Sequence, residues 1–145
     1  MISVSVQPAP IDLAAELAAV EIKGAGGIAT FIGTVRGDGG VTELTLEHYP
    51  GMTEGALIAL AEDALVRWGL LGVTIVHRVG AMAPGDHIVF IGTAAAHRKE
   101  ALESCAYVID RLKTDAPFWK QEKRGGEAAW VEARASDAEA AERWA

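Results

Sequence analysis

The sequence predicts an α+β fold whose sheet is largely antiparallel or mixed. Strand-like and helix-like hydrophobic patterns interleave along the chain, and glycine-containing turns join neighbouring strand-like segments. Half of the 145 residues are hydrophobic, which is enough to bury a substantial core. Neither an internal repeat nor a long linker divides the chain. We therefore expect one domain that spans residues 1–145.

The N-terminal part predicts a strand, a helix and a second strand. Residues 2–6 alternate apolar and polar side chains, which is typical of a half-buried strand. Residues 11–22 are rich in alanine and leucine at helical spacing, and Asp12 is the expected N-cap. A glycine-rich loop follows, and the apolar run at 28–35 predicts the second strand.

The middle of the chain predicts a hairpin, a helix and two further strands. A tight glycine turn at 37–40 leads into the alternating residues 41–49, so we expect this segment to pair with the preceding strand. Residues 53–68 place their apolar side chains on one helical face. Residues 73–79 and 87–94 then predict two strands on either side of a turn at 82–85.

The C-terminal part predicts a long helix, a hairpin and a short final helix. Residues 98–112 have helical spacing. The expected core face of this helix consists of Leu102, Cys105, Ala106, Ile109 and Leu112. Strands are expected at 118–122 and 129–133, around the Gly125-Gly126 turn, and a helix at 136–144.

Composition excludes several classes of protein. The net charge of −7 argues against a general nucleic-acid binder, which needs a basic surface. No apolar run reaches the roughly 18 residues that cross a bilayer, and the N-terminus lacks the pattern of a secretory signal. One cysteine rules out an internal disulfide. We expect a soluble, cytoplasmic protein that binds neither nucleic acid nor membrane.

Basic residues concentrate in one part of this acidic chain. Residues 97–124 hold seven of the thirteen lysines and arginines, and five acidic residues. That segment therefore carries +2, whereas the remainder carries −9. A locally basic site on an acidic protein favours a small anionic substrate.

Two lysines flank a proline within this basic segment. Lys113 lies in the last turn of the predicted helix, and Pro117 ends that helix and pushes Ala116 toward extended geometry. Lys120 lies on the strand that follows. If the chain folds back at the proline, both amines face one pocket, and their repulsion lets one lose its proton easily. Such an amine can act as base or nucleophile; the alternative is two solvated surface lysines.

Three further residues are candidates for anion binding. Arg36 ends a strand before the glycine turn, where its guanidinium suits a phosphate or carboxylate, although it could simply decorate the strand end. His97 and Arg98 begin the 98–112 helix, whose N-terminus is favourable for anions. A plain helix cap is the alternative interpretation of this pair.

Three other kinds of site are not expected. Cys105 lies on the predicted apolar face of its helix, where a thiol resists ionisation, so we do not expect a sulfur carrier. The four histidines lack the local spacing of a zinc site, so no metal is expected. The glycines at 24–27 precede a strand, unlike a nucleotide loop, and no activated serine or cysteine is evident; these absences disfavour an acyl- or nucleotidyl-transferase.

Six ordered segments resemble the large, catalytic subunit of molybdopterin synthase, a likeness that runs from about Ala25 to Trp144. The segments are residues 31–36, 44–52, 77–80, 96–98, 112–122 and 130–134. The resemblance implies an α/β hammerhead-type core with a small additional β subdomain. The turn at 37–40 is shorter than in many members of that family, which bears on contacts near the active site.

The resemblance also implies a reaction and its partners. Members of the family transfer sulfur from the C-terminal thiocarboxylate of a small ubiquitin-like partner subunit to cyclic pyranopterin monophosphate. The product carries the dithiolene of molybdopterin, an intermediate of molybdenum cofactor biosynthesis. The family implies a homodimer within a heterotetramer and no cofactor of its own. The alternative is a non-catalytic module that binds a phosphorylated metabolite or a partner tail.

Residues that match the family's functional positions follow from the same likeness. Lys113 and Lys120 match the two catalytic lysines. The implied substrate-binding residues are Thr34, Val35, Arg36, His97, Arg98, Lys113, Lys120, Gln121 and Glu122. The His-Arg pair is expected to come from the second copy of the subunit. Trp119 and Trp130 are expected in core or interface packing, and His77-Arg78 in a structural or interfacial role.

Overall fold

A computed structural model of the chain describes residues 1–131 and 135–144, which form two four-stranded sheets and four helices. The strands are β1 Ile2–Gln7, β2 Gly27–Thr34, β3 Val41–His48, β4 Gly72–Arg78, β5 Gly80–Met82, β6 His87–Ala95, β7 Phe118–Arg124 and β8 Glu127–Val131. The helices are α1 Leu13–Val20, α2 Met52–Trp68, α3 Arg98–Asp115 and α4 Ala135–Glu142. None of these helices is long and apolar enough to cross a membrane.

The first sheet has the strand order β1-β4-β6-β2 and forms the centre of the fold. β1 pairs with β4 in parallel, and the other pairs are antiparallel. Helices α2 and α3 cover one face, where Val73 and Ile75 of β4 join the main core. On the other face, Val76 packs with Phe90 and Ile11. β4 is thus buried on both faces, which explains why apolar side chains occur on both of them.

The second sheet has the order β5-β3-β7-β8 and is antiparallel throughout. Its small core contains Val35, Leu44, Leu46 and Met82. The mixed α+β class is therefore confirmed, with the second sheet as an additional β unit. β5 was not predicted, and Met82, which was assigned to a turn, ends this strand.

The predicted hairpin between residues 28–35 and 41–49 is wrong. β2 pairs with β6 in the first sheet, whereas β3 pairs with β5 and β7 in the second. The intervening residues Asp38–Gly40 form a short 3₁₀ turn that carries the chain from one sheet to the other. A short glycine turn is compatible with a hairpin, but strands distant in sequence supply the better partners here.

The predicted core face of α3 is displaced by about one residue. Leu102 is 62% exposed, whereas Ala101, Ser104 and Val108 are buried with Cys105. The helix is fixed by the hydroxyl of Thr93 on β6, which donates a hydrogen bond to the carbonyl oxygen of Ala101 (2.7 Å). The short side chains let α3 approach the sheet closely. The N-cap prediction for α1 is confirmed, since Asp12 accepts a hydrogen bond from the Ala15 N–H (3.1 Å).

Two glycines allow β2 to pass beneath the start of α3. A Cβ at Gly26 would collide with the carbonyl oxygen of Ala96, and one at Gly27 would lie 2.9 Å from the Cα of Arg98. Both obstacles are backbone atoms, which cannot rotate away. The beginning of β2 therefore sits directly against the segment that carries His97 and Arg98.

Replacing Gly26 with alanine should destabilise the protein and displace the start of α3. We expect a loss of about 1–3 kcal/mol, typical of overpacking against a fixed backbone. Gly55 is the matched control, because it lies within α2 with open space around it. Gly55→Ala should stabilise the protein by about 0.5–1 kcal/mol. Thermal unfolding of both variants checks this; a Gly26→Ala protein as stable as the parent would contradict the close approach.

Candidate functional site

A cavity of about 620 Å³ opens between the two sheets, at the C-terminal end of α3. The lining residues that the structure describes come from eight helices and strands and from the loops beside them. They are Thr34, Val35, Arg36, Asp38, Gly39, Val41, Leu44, Leu46, His77, Ile88, Leu112, Lys113, Ala116, Phe118, Lys120, Glu122, Arg124, Val131 and Asp137. One apolar wall is formed by the core of the second sheet, and charged side chains line much of the rest.

Both predicted lysines line this cavity. α3 ends at Asp115, and Ala116 adopts extended geometry (φ −85°, ψ 125°), as expected for a residue before proline. β7 begins one residue after Pro117, so the chain turns back toward the end of the helix. The turn places Lys113 and Lys120 at one cavity although they lie on different elements.

Two contacts hold the corner at Pro117. The buried hydroxyl of Thr53, at the start of α2, donates a hydrogen bond to the Pro117 carbonyl oxygen (2.9 Å) and accepts one from the Tyr49 N–H (3.0 Å). On the other side, the ring of Phe118 stacks on the imidazole of His77, with centroids 4.0 Å apart. The direction in which β7 leaves the helix is thereby fixed by α2 and β4.

Alternation along β7 decides which of its side chains reach the cavity. Phe118, Lys120, Glu122 and Arg124 line it, whereas Gln121 does not and belongs to the opposite face of the strand. The predicted contact of Gln121 with substrate therefore finds no support within this protomer. The reason is the two-residue period of a strand, which separates Gln121 from its neighbours.

Arg124 is a cavity residue that the sequence reasoning missed. Its guanidinium donates hydrogen bonds to the Gly39 carbonyl oxygen (3.0 Å) and to the Glu122 carboxylate (3.4 Å). It thereby ties the short turn after β2 to the second sheet. Arg124 follows Lys120 and Glu122 at the two-residue spacing of a strand, so this spacing could have identified Arg124 from the sequence.

Thr34, Val35 and Arg36 bring the end of β2 to the cavity, as predicted. The Arg36 guanidinium lies 3.4 Å from the Asp38 carboxylate, and both side chains are well exposed. An exposed ion pair of this kind is worth little, so an anionic ligand can compete for the arginine.

His97 and Arg98 do not line the cavity of their own protomer. They lie at the opposite end of α3, whose 18 residues span about 27 Å. His97 occupies the N-cap position, but its side chain makes no capping hydrogen bond. The plain helix-cap interpretation therefore has no support, and both side chains are exposed.

Comparison with known proteins identifies the family. The profile of the MoaE protein family matches residues 6–115, about three quarters of the chain. The chain belongs to the MoaE protein family. A molybdopterin synthase catalytic subunit from Ralstonia nicotianae is 47% identical, covering 99% of this chain and 85% of the relative. One from Pseudomonas aeruginosa is 48% identical over 98% of both chains.

Solved structures agree with this assignment. The MoaE protein from Burkholderia ambifaria matches with a TM-score of 0.86 and 47% identity, covering 99% of this chain and 98% of that one. The predicted resemblance to molybdopterin synthase catalytic subunits is confirmed by these matches. Residues 132–134 of the closing motif lie outside the described residues.

Burial of the Cys105 side chain raises the pKa of its thiol to about 11 in this MoaE protein. The thiol therefore stays protonated at neutral pH and is a poor nucleophile. Among residues 1–131 and 135–144, no group of histidine, cysteine and carboxylate side chains could hold a metal ion.

The two tryptophans flanking the β7–β8 turn are not core residues. Trp119 and Trp130 are 48% and 58% exposed and meet with ring centroids 6.0 Å apart, on the face of the second sheet away from the cavity. The core part of that prediction is wrong, because strand alternation directs both rings outward. Packing at an interface stays a prediction.

His77 lies at the end of β4 and lines the cavity. The sequence predicts a structural or interfacial role for this residue and does not place it at the site. Its side chain is only 3% exposed. Burial lowers the pKa of the imidazole to about 4; a hydrogen bond to the Arg78 carbonyl opposes this shift, and nearby positive charge on Lys113 and His48 adds to it. His77 is therefore a neutral group in a cavity that contains several charges.

His77 should make stability depend on pH. An unfolded histidine binds a proton near pH 6.5, whereas folded His77 does so only near pH 4. The unfolded state therefore binds the extra proton in this window, and stability falls by up to about 3 kcal/mol as the pH drops through it. Denaturant unfolding between pH 4 and 7 checks this.

His77→Gln should remove this part of the pH dependence. His97→Gln is the control, because that histidine is exposed and lies outside the cavity lining. If the slope persists in His77→Gln, another group is responsible for it.

Proposed function

We propose that this chain is the catalytic subunit of a molybdopterin synthase, which transfers sulfur from the thiocarboxylate of a small ubiquitin-like partner to cyclic pyranopterin monophosphate. The observation that carries the proposal is that Lys113, Lys120 and Arg36 line one cavity in a chain of the MoaE family. The partner's tail and the pterin would meet in this cavity. We also propose that the protein is cytoplasmic and that residues 1–145 form a single domain.

The charges of the cavity suit two anionic reactants. The described lining includes four cationic side chains and three carboxylates. The cationic residues are Arg36, Lys113, Lys120 and Arg124. One carboxylate is already bound by Arg124 and another by Arg36. The phosphate of the substrate can displace the exposed Asp38 from Arg36, because a bidentate arginine–phosphate contact is stronger.

Each sulfur addition requires proton transfers that the two amines can perform. The thiocarboxylate sulfur donates an electron pair to a carbon of the pterin side chain, and an oxygen leaves that carbon with a proton. Water then cleaves the acyl–sulfur bond, so sulfur remains on the pterin and the partner leaves as a carboxylate. A protonated lysine supplies the first proton, and a neutral one takes a proton from the water. The assignment of these roles to Lys113 or Lys120 stays open, as does an acyl link to either amine.

The edge of the first sheet offers a surface for the second copy of the chain. β2 is an edge strand of this sheet, and three large apolar side chains along it are exposed. These are Ile28, Phe31 and Ile32. Exposed apolar edge strands are association surfaces, and homodimers most often form around a two-fold axis.

A two-fold axis near the middle of β2 would complete the cavity. The start of β2 lies against Arg98 of the same protomer, and its end leads to Arg36. The strand's eight residues span about 27 Å. Antiparallel association of two such edges therefore brings His97 and Arg98 of one copy toward the Arg36 cavity of the other. This arrangement supports the predicted homodimer. One small partner subunit for each catalytic chain is a further part of the proposal.

Removing either cavity lysine should abolish most sulfur transfer. Lys113→Ala and Lys120→Ala should each slow dithiolene formation at least 100-fold, as is typical when a general acid or base is lost. The measurement is single-turnover conversion of cyclic pyranopterin monophosphate by a thiocarboxylated partner. Lys123→Ala is the matched control on the same strand, because Lys123 does not line the cavity.

The non-catalytic alternative predicts a different result. A binding module would give no dithiolene with the parent protein, although it would still bind the partner tail or the phosphorylated metabolite. A fully active Lys120→Ala variant would refute the assigned role of that lysine while leaving the enzyme reading intact.

Mixed dimers should test the shared cavity. Arg98→Ala and Lys120→Ala should each be poorly active alone, because every cavity then lacks one group. A dimer containing one copy of each variant has one cavity with both groups intact, so co-refolded mixtures should regain up to about a quarter of parental activity at equal amounts. Absence of any recovery, with mixed dimers verified by two affinity tags, would show that Arg98 serves its own protomer.

A further inference from the structure

His77 occupies a position on β4 at which strand alternation predicts an apolar residue. Val73, Ile75 and His77 share one face of β4, and the first two belong to the main core. His77 is nearly as buried as they are, yet it lines the cavity, which Val73 and Ile75 do not. The core face of the strand therefore ends in a polar ring at the base of the candidate active site.

The hydrogen bond of His77 determines which ring nitrogen carries the proton. Nδ1 lies 2.9 Å from the carbonyl oxygen of Arg78, and a carbonyl oxygen can only accept a hydrogen bond. Nδ1 is therefore the protonated nitrogen, and Nε2 of the neutral ring is an acceptor. An acceptor buried beside cationic side chains is suited to receive a hydrogen bond from one of them.

Lys113 is a hydrogen-bond donor that lines the same cavity as His77, and its positive charge helps to lower the pKa of the imidazole. The positive charges of Lys113 and His48 both lower the pKa of His77, and the effect of Lys113 is the larger. The His48 ring lies 3.4 Å from the Glu54 carboxylate. Lys113 comes from α3 and His48 from β3, while Lys120 and Glu122 of β7 line the same cavity. Phe118 covers the ring of His77 by stacking and limits its rotation.

We propose that His77 is a positioning residue for Lys113: its unprotonated Nε2 is an acceptor in the shared cavity to which the Lys113 ammonium can donate a hydrogen bond, and this directs that amine into the cavity. An ammonium has three N–H donors, so this bond is compatible with the other interactions that Lys113 makes in the fold. The neutral ring orients the ammonium without repelling it, as a charged imidazolium would. The catalytic part of this role rests on the proposed sulfur transfer, whereas the contact itself does not.

Titration of the lysines tests the contact without any substrate. Reductive methylation with ¹³C-formaldehyde labels all five lysines, and NMR then follows each methyl signal with pH, with the Lys113 signal assigned from its loss in Lys113→Ala. A hydrogen bond to the charged form favours that form. In His77→Phe, which keeps the stacked ring but lacks the acceptor, the Lys113 midpoint should fall by roughly one pH unit.

Two controls accompany this measurement. His77→Gln, whose side-chain oxygen can accept a hydrogen bond, should restore most of the shift. Lys99 and Lys123 lie outside the cavity lining and should keep their midpoints in every variant. A Lys113 midpoint that moves no more than those of Lys99 and Lys123 would overturn the proposal, as would equal shifts in the Phe and Gln variants.

Single-turnover sulfur transfer tests the consequence. His77→Phe should lower the rate constant about tenfold without changing the substrate concentration at half-saturation, and His77→Gln should recover most of the rate. In a Lys113→Ala background, His77→Phe should cause no further loss, because its effect passes through that amine. Equal losses in both backgrounds would show that His77 has only a structural role.

Val73→Ala serves as the matched control for stability. Val73 lies on the same face of β4 within the core, so its truncation should lower the unfolding temperature while leaving the Lys113 midpoint and the rate constant unchanged. If the parent protein forms no dithiolene at all, the proposed function fails, and the NMR titration still decides whether His77 orients Lys113.

Discussion

The corner at Pro117 is the constraint on which the candidate site depends. Proline cannot donate the next helical hydrogen bond, so α3 ends and the chain enters β7 within two residues. The Thr53 hydroxyl and the His77 ring hold the two sides of this corner from separate elements. Without these contacts, Lys113 and Lys120 would lie on a helix end and a strand with no fixed relation. The break in the helix thus brings the two amines to one cavity only because residues distant in sequence pack against the corner.

β7 links this corner to the second sheet and supplies much of the charge of the cavity. Its period of two directs Lys120, Glu122 and Arg124 inward, and Trp119 and Gln121 outward. Arg124 then reaches the Gly39 carbonyl, so the crossing between the two sheets is fastened to the same strand. One strand therefore provides one of the two cavity amines and also closes the cavity.

The electrostatic design separates groups that carry charge from groups that do not. Arginine and lysine side chains face the cavity, where anionic reactants would be attracted and held. The buried imidazole of His77 and the buried thiol of Cys105 stay neutral near pH 7, because burial disfavours their charged forms. In the proposed reaction, sulfur would therefore come from the partner's tail, and cysteine would remain part of the core.

The sequence alone determined the features that depend on neighbouring residues. Hydrophobic periods located the helices and strands, the Asp12 cap followed from a local hydrogen bond, and Pro117 fixed the break between Lys113 and Lys120. The tertiary structure decided which strands pair: β2 and β3 enter different sheets although a glycine turn joins them. It also decided that His77 and Arg124 reach the cavity, and that α3 turns Ala101 rather than Leu102 inward. These outcomes depend on contacts between residues tens of positions apart, and a local pattern carries no information about such distant partners.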